Sequence, residues 1–129
     1  MARPTTGRPT DQELLILNVL WQRGPSSVRD VWKVIAATRD IGYTSVLKIM
    51  QIMRDKGLVA CDANCRPQLY RAKHPQQTTL RHLARDLLHR AFGGSTKSLL
   101  LHALDSKRCS QEELAEIRQL LDQIEGSSK

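Results

Sequence analysis

Hydrophobic side chains recur every three or four positions through the first half of the chain, a spacing that predicts amphipathic helices. The pattern gives three segments: one capped at Thr10 and stopped by Gly24-Pro25, one capped at Ser27 and ending before Asp40, and one from about Thr44 to Lys56. The first two open with a hydroxyl residue followed three positions later by an acidic one, which is the sequence of a capping box. The third ends at Gly57, a residue suited to a left-handed helix cap.

Two short segments after the third helix have the composition of β-strands. They cover residues 58–62 and 69–73, on either side of a six-residue loop. Three helices followed by a hairpin are typical of a winged helix-turn-helix. We therefore predict this fold for residues 10–74, and a flexible arm for residues 1–9, which contain Pro and Gly and show no apolar periodicity.

Residues 75–125 show three more helical segments. They are a long one opened by Pro75 and closed by Gly93-Gly94, a short one around Ser98 to Leu104, and a last one opened by Ser110 with Glu113. These helices carry more aliphatic side chains than three small helices bury among themselves, so we predict that a second copy of the chain covers them. The predicted dimerisation residues are Leu80, Leu83, Leu87, Leu88, Phe92, Leu100, Leu114, Ile117 and Leu121. The predicted fold class is mainly α with a small β-hairpin wing, followed by a flexible tail at residues 126–129.

Positive charge is concentrated in the N-terminal region. The whole chain has 20 Lys and Arg against 13 Asp and Glu, a formal net charge of +7. Up to residue 74 there are 12 basic and 6 acidic side chains, and after it there are 8 and 7. An excess of positive charge on one domain favours a polyanionic partner, so we expect the N-terminal region to contact double-stranded DNA.

Composition argues against several other classes of protein. No apolar run is long enough to cross a bilayer, and no hydrophobic stretch follows the first basic residues as in a signal peptide. The three cysteines, an odd number, indicate a reducing cytoplasm. Cys61 and Cys65 with nearby His74 form one incomplete ligand pair, whereas structural zinc sites use four ligands, so no metal or cofactor is predicted. The sequence has no credible catalytic triad or Gly-rich phosphate loop, so no enzyme is predicted.

The polar side of the third helix carries the candidate base-reading residues. They are Thr44, Ser45, Lys48 and Gln51, with Arg54 flanking them. A helix fits the major groove, and these side chains offer donors and acceptors to base edges or phosphates. Arg66, at the tip of the hairpin loop, suits a phosphate or a narrow minor groove, and Arg71 on the second strand suits a phosphate.

The same residues admit two other interpretations. A polar helix face is also what any solvated amphipathic helix shows. A winged helix can also serve as a protein-interaction module, with the C-terminal helices as its oligomerisation arm. The concentrated positive charge and Arg66 favour DNA. Binding to mixed-sequence DNA that weakens steeply with salt would distinguish DNA binding from docking.

Six short motifs occur in order along the chain. They are Thr10-Asp11-Gln12-Glu13 leading to Leu20-Trp21, Tyr43-Thr44-Ser45-Val46, Lys56-Gly57-Leu58-Val59, Leu69-Tyr70, Phe92-Gly93-Gly94-Ser95 and Ser110-Gln111-Glu112-Glu113-Leu114. Together they resemble the penicillinase-repressor (BlaI/MecI type) family of bacterial transcription regulators, from about Thr10 to Leu121. The resemblance implies a homodimeric repressor with an N-terminal winged helix on DNA and C-terminal helices interlocked with those of a second subunit. It also puts Thr44, Ser45 and Lys48 at the family's base-reading positions.

The chain departs from the family's pattern at three places. Many members have Arg where this chain has Ile52, whose side chain suits contact with a thymine methyl group. The β-lactam-responsive members are inactivated when a membrane sensor protease triggers cleavage of an Asn-Phe bond in the fifth helix, and the resemblance puts His102-Ala103 there. Copper-responsive relatives use Cys-x-Cys pairs near the C-terminus, and this chain has none. The resemblance therefore implies neither inducer, and the identity of an upstream sensor or protease stays open.

Overall fold

The computed structural model describes residues 9–62, 64, 66–105 and 109–127. Over these ranges the elements are α1 Asp11–Arg23, α2 Val28–Ala36, α3 Tyr43–Lys56, β1 Val59–Asp62, β2 Leu69–Ala72, α4 Gln76–Ala91, α5 Thr96–Leu104 and α6 Gln111–Ser127. The predicted fold class, mainly α with a β-hairpin wing and a C-terminal helical region, is confirmed. Residues 1–8 of the predicted arm and residues 128–129 of the predicted tail lie outside the described residues, whereas residues 126–127 of that tail belong to α6. None of the described helices is long and apolar enough to cross a membrane.

The chain forms two compact units, Met1–Ala84 and Arg85–Lys129. The division falls within α4, C-terminal to the boundary at residue 75 that we predict from charge and periodicity. The first unit holds α1 to α3 and the hairpin, which together form the winged helix. The second holds the end of α4 with α5 and α6.

The helix ends follow from local side-chain hydrogen bonds. The capping boxes predicted at Thr10 and Ser27 are present: Thr10 Oγ1 accepts from the Glu13 N–H at 3.2 Å, and Ser27 Oγ accepts from the Asp30 N–H at 3.1 Å. Gly57 ends α3 in the left-handed conformation, with φ of 83°. The short α5 begins at residue 96 and not at 98, because the side chain of Ser95 caps it by accepting from the N–H of residue 98 at 3.1 Å.

The core of the first unit is almost entirely aliphatic. Its buried side chains come from the three helices and the hairpin: Ile16, Leu17, Val19, Leu20, Val28, Val31, Ile35, Val46, Met50, Met53, Leu58, Val59 and Tyr70. Val46, Met50 and Met53 share one side of α3 and are fully buried. Burial of a side chain of this size stabilises the folded state by about 1.5–3 kcal/mol, so this side anchors α3. Ile49, whose spacing puts it on the same side of the helix, is half-buried.

One ion pair joins the beginning of α1 to the end of α3. Lys56 Nζ lies 2.7 Å from Glu13 Oε1, and Glu13 is only 4% exposed. The same oxygen accepts from the Thr10 backbone N–H at 3.0 Å. A single carboxylate therefore caps α1 and binds the last residue of α3. The sequence predicts the cap, but a partner 43 positions away leaves no local pattern.

The hairpin is tied to the helices by a third segment. β1 and β2 are antiparallel, with Cys61 opposite Tyr70. On the other side of β2, Ser26 pairs with Tyr70 through two backbone hydrogen bonds of 2.9 and 2.8 Å. The sequence predicts only that a helix stops at the α1–α2 connection. In the structure, this connection also holds the base of the wing through Ser26.

The second unit contrasts with the first in its packing. Among its described side chains, residues 85–105 and 109–126, none is buried. α4 ends as predicted at two glycines with positive φ, and the Gly94 N–H donates to the Leu88 carbonyl at 2.9 Å. The helices are therefore formed locally, while their aliphatic side chains remain accessible.

The Glu13–Lys56 pair yields the first prediction. Glu13→Ala removes the cap acceptor and leaves Lys56 without its carboxylate, so the free energy of unfolding should fall by on the order of 2–4 kcal/mol. Glu13→Gln keeps an uncharged acceptor and should lose about half as much. Urea unfolding followed by tryptophan fluorescence measures this, since Trp21 and Trp32 both lie in the first unit.

The matched control is Asp11→Asn, which changes an exposed acidic residue in the same helical turn. It should cost about 0.3–1 kcal/mol, the contribution of one charge near a helix N-terminus. Equal losses for Glu13→Ala and Asp11→Asn would contradict the role given to the ion pair.

Candidate nucleic-acid interface

α3 presents a polar face on the side opposite its buried residues. With successive residues about 100° apart around a helix, six side chains share that side. We call them the outer face of α3: Thr44, Ser45, Lys48, Gln51, Ile52 and Asp55. All six are exposed, and Lys48 lies at their centre. The four base-reading candidates predicted on this helix thus occupy one continuous surface.

Two residues make the outer face chemically uneven. Ile52 is 43% exposed, and its side chain has no hydrogen-bonding atom. Its only means of distinguishing one base from another is contact through methyl groups, such as that of thymine. Asp55 brings a negative charge, but it lies in the last turn of α3, away from the N-terminal end that contacts bases in helix-turn-helix proteins.

Arg54 lies on the flank of α3 that faces the hairpin. It is exposed and about 120° around the helix from Lys48. Burial raises the pKa of the Tyr70 hydroxyl on β2, and neighbouring Cys61 raises it further, while the positive charge of Arg54 acts in the opposite direction. Arg54 is therefore close enough to Tyr70 for their electrostatic interaction. At the edge of the outer face, a guanidinium suits a phosphate better than a base edge.

The wing presents its two candidate arginines to solvent. Because successive residues of a strand point to opposite sides, Arg71 points away from the core that buries Tyr70. Arg66 is exposed in the hairpin loop.

The cysteine pair near the wing is only partly described, because Cys65 lies outside the described residues. Cys61 is half-buried, and the described part of the chain contains no group of three side chains able to hold a metal ion.

The sequence patterns do not predict the aromatic cluster that lies at the start of α3. The rings of Trp32 and Tyr43 meet edge to face, with centroids 6.0 Å apart and planes at 87°. The indole N–H of Trp32 donates to the Ile41 carbonyl at 3.0 Å. Arg29 Cζ lies 5.7 Å from the centroid of the Tyr43 ring. Periodicity assigns Trp32 to an apolar stripe, but the contact between α2 and α3 depends on tertiary structure that no spacing encodes.

The predicted dimerisation residues lie on α4, α5 and α6 with graded exposure. Leu80, Leu87, Leu100 and Leu121 are exposed, and Leu83, Leu88, Phe92, Leu114 and Ile117 are half-buried. Leu80 and Leu83 belong to the first unit, and the others to the second. Leu101, which is not among the predicted residues, is 64% exposed. The rings of His102 and Phe92 lie with their centroids 5.7 Å apart.

Comparison with known proteins agrees with this architecture. The model of the penicillinase repressor family matches residues 9–123. The chain is 30% identical over 117 residues to the transcriptional regulator BlaI of two Mycobacterium tuberculosis strains, CDC 1551 and H37Rv, covering 89% of this chain and 83% of each relative. It is 21% identical over 120 residues to the penicillinase repressor of Bacillus licheniformis, covering 93% and 94% of the two chains. The chain therefore belongs to the penicillinase repressor family, as its sequence motifs indicated.

Proposed function

We propose that this member of the penicillinase repressor family is a homodimeric, sequence-specific DNA-binding repressor. The observation that carries the proposal is the outer face of α3: six exposed side chains on a helix anchored from behind by three fully buried residues. A rigid helix with a free polar face has the shape and chemistry that major-groove reading requires. The excess of positive charge up to residue 74 supplies the attraction to DNA.

The contacts divide by their place on this surface. Thr44, Ser45, Lys48 and Gln51 of the outer face read base edges, as their donors and acceptors allow. Three arginines at the edges, Arg54, Arg66 and Arg71, bind phosphates, with Arg66 also suited to a narrow minor groove. By occupying the promoter, the bound protein excludes RNA polymerase and represses transcription without a catalytic step.

The packing of the second unit supports dimerisation. Leu87, Leu100, Leu101, Leu120, Leu121 and Ile124 are exposed there, and none of its described side chains is buried. Exposed aliphatic side chains in such number mark an interaction surface, because leaving them in water costs about 25 cal/mol per Å². A second copy of the chain provides a matching apolar surface. The two-fold axis of such a dimer requires a pseudo-palindromic operator with half-sites about 10 base pairs, or a multiple, apart.

A salt series on the full chain tests DNA binding. DNA fragments of the source genome that the purified protein binds provide the specific duplex. A mixed-sequence duplex of equal length provides the comparison. We expect gel shifts on both, tighter on the selected fragment, with affinity falling steeply as salt rises. Absence of any shift at low salt would overturn the proposal in favour of the protein-interaction module.

In the same assay, Lys48→Ala distinguishes base reading from phosphate contact. At the centre of the outer face, Lys48 should read a base, so its loss should cost about 1–3 kcal/mol on the selected fragment and relax specificity at one position. A phosphate contact would instead weaken both duplexes equally and reduce the salt slope by about one. Lys97→Ala removes an exposed lysine of α5 and serves as control. Unchanged binding by Lys48→Ala would reject either role.

Ile52 should be sensitive to a single methyl group of the operator. Replacing each thymine of the selected half-site by deoxyuridine removes only the 5-methyl group. At one position we expect a loss of about 1 kcal/mol, and Ile52→Ala should abolish the difference between the two bases there. Val34→Ala, which trims another exposed aliphatic side chain, should leave the difference intact. Equal thymine preference in Ile52→Ala and the unmodified protein would show that Ile52 does not read the base.

Replacement of Leu87 or Leu121 by Asp should dissociate the dimer, because an unpaired carboxylate in an aliphatic interface is costly. Both positions are exposed in the single chain, so the substitutions leave its own core unchanged. Light scattering should show the mass fall from twice the chain mass to 14.6 kDa. Gln119→Asp, on an exposed polar position of α6, should remain dimeric. A dimeric mass in both leucine variants would place the interface elsewhere.

A further inference from the structure

We propose that Arg29 binds a phosphate of the DNA backbone, and that the ring of Tyr43 holds its guanidinium in position for that contact. The inference rests on the proposed DNA binding by α3 and extends the contact surface to α2. Neither residue is among the DNA-contact candidates that the sequence patterns indicate.

The first observation is that the Arg29 side chain is exposed and lies close to the Tyr43 ring. Arg29 is the second residue of α2, exposed, with Cζ 5.7 Å from the centroid of the Tyr43 ring. The neighbouring carboxylate of Asp30 accepts from the Ser27 N–H of the helix cap. Among the described residues, no carboxylate forms an ion pair with Arg29. Because a guanidinium can rest on an aromatic ring by its flat side, the N–H groups at its edges remain able to donate to a phosphate.

The second observation is that the aromatic platform is itself fixed. Tyr43 is the first residue of α3, so its ring moves with that helix. Trp32 holds the ring edge to face and is held in turn by its hydrogen bond to the Ile41 carbonyl. An arginine resting on such a platform loses less rotational freedom on binding than one extended into solvent, so more of the phosphate attraction appears as affinity.

The position of Tyr43 on α3 decides what Arg29 meets. Tyr43 and Arg54 are eleven positions apart, three helical turns, and therefore lie on the same flank of the helix. This is the flank beside Tyr70, outside the outer face. When the outer face lies in the major groove, cations on its flank are next to the sugar-phosphate backbone that borders the groove. Arg29 thus contributes attraction and orientation, without reading sequence.

The experiment measures binding of Arg29→Ala, Arg29→Lys, Tyr43→Phe and Tyr43→Leu to the selected fragment and to the mixed-sequence duplex over a salt series. Arg29→Ala should weaken binding to both duplexes equally, on the order of tenfold, and reduce the salt slope by about one. Arg29→Lys should keep the slope but recover only part of the affinity, because an ammonium does not stack flat on the ring. Arg81→Ala changes an exposed arginine of the same unit that has no ring contact among the described residues; it is the matched control and should bind nearly normally.

Tyr43 acts as a positioning residue, so its test needs a readout that simple destabilisation does not give. Tyr43→Phe keeps the ring and should bind normally, whereas Tyr43→Leu should lose affinity on both duplexes. In the Arg29→Ala background, Tyr43→Leu should have no further effect, since the guanidinium it positions is gone. Tryptophan fluorescence under urea confirms that each variant is folded at the assay temperature.

Distinct results separate this inference from the function on which it rests. If the unmodified protein shifts neither duplex, the proposed function fails. If it shifts both and Arg29→Ala binds like it with an unchanged salt slope, the Arg29 assignment alone is overturned. A loss confined to the selected fragment overturns the phosphate assignment, because it would mean that Arg29 reads a base. Full additivity of the Arg29 and Tyr43 effects overturns the positioning role.

Discussion

The surface that the first unit offers to a partner depends on how one helix is buried. Val46, Met50 and Met53 fix α3 from behind, and the Glu13–Lys56 pair fixes its last turn to the start of α1. With the helix held along its length, the side chains on its other side need no intramolecular role. They are available to contact a partner, because the buried residues on the opposite side of α3 provide the stability of the folded unit.

Much of this arrangement can be predicted from residues that are close in sequence. The rest cannot, because it depends on contacts between elements that are distant in sequence. Capping boxes, the glycine at the end of α3 and the alternation of the hairpin involve residues only a few positions apart, so spacing predicted them. Three contacts join different elements: the ion pair of Glu13 with Lys56, the pairing of Ser26 with Tyr70 and the cation–π contact of Arg29 with Tyr43. Such contacts depend on how elements pack, which hydrophobic periodicity constrains only in outline.

The candidate interface shows the same division. Helix periodicity was sufficient to gather the polar side of α3, and the structure keeps those residues exposed together. It could not show that Arg54 lies on the flank beside Tyr70 or that α2 supplies a cation there, because both depend on the packing of α3 against its neighbours. The two units also differ in kind: the first buries an aliphatic core of its own, whereas the described aliphatic side chains of the second stay accessible. Under the proposed dimer, the stability of the second unit is linked to protein concentration.

The two methionines beneath α3 carry a mechanical consequence. Methionine is unbranched, with a pliable thioether that fills irregular gaps, whereas valine and isoleucine are stiff at the first side-chain torsion. With methionine at two of its three fully buried positions, the buried side of α3 deforms at lower cost than one built wholly from branched side chains. Under the proposed function, these two side chains accommodate small tilts of α3, which lets the helix adapt to the local width of the major groove.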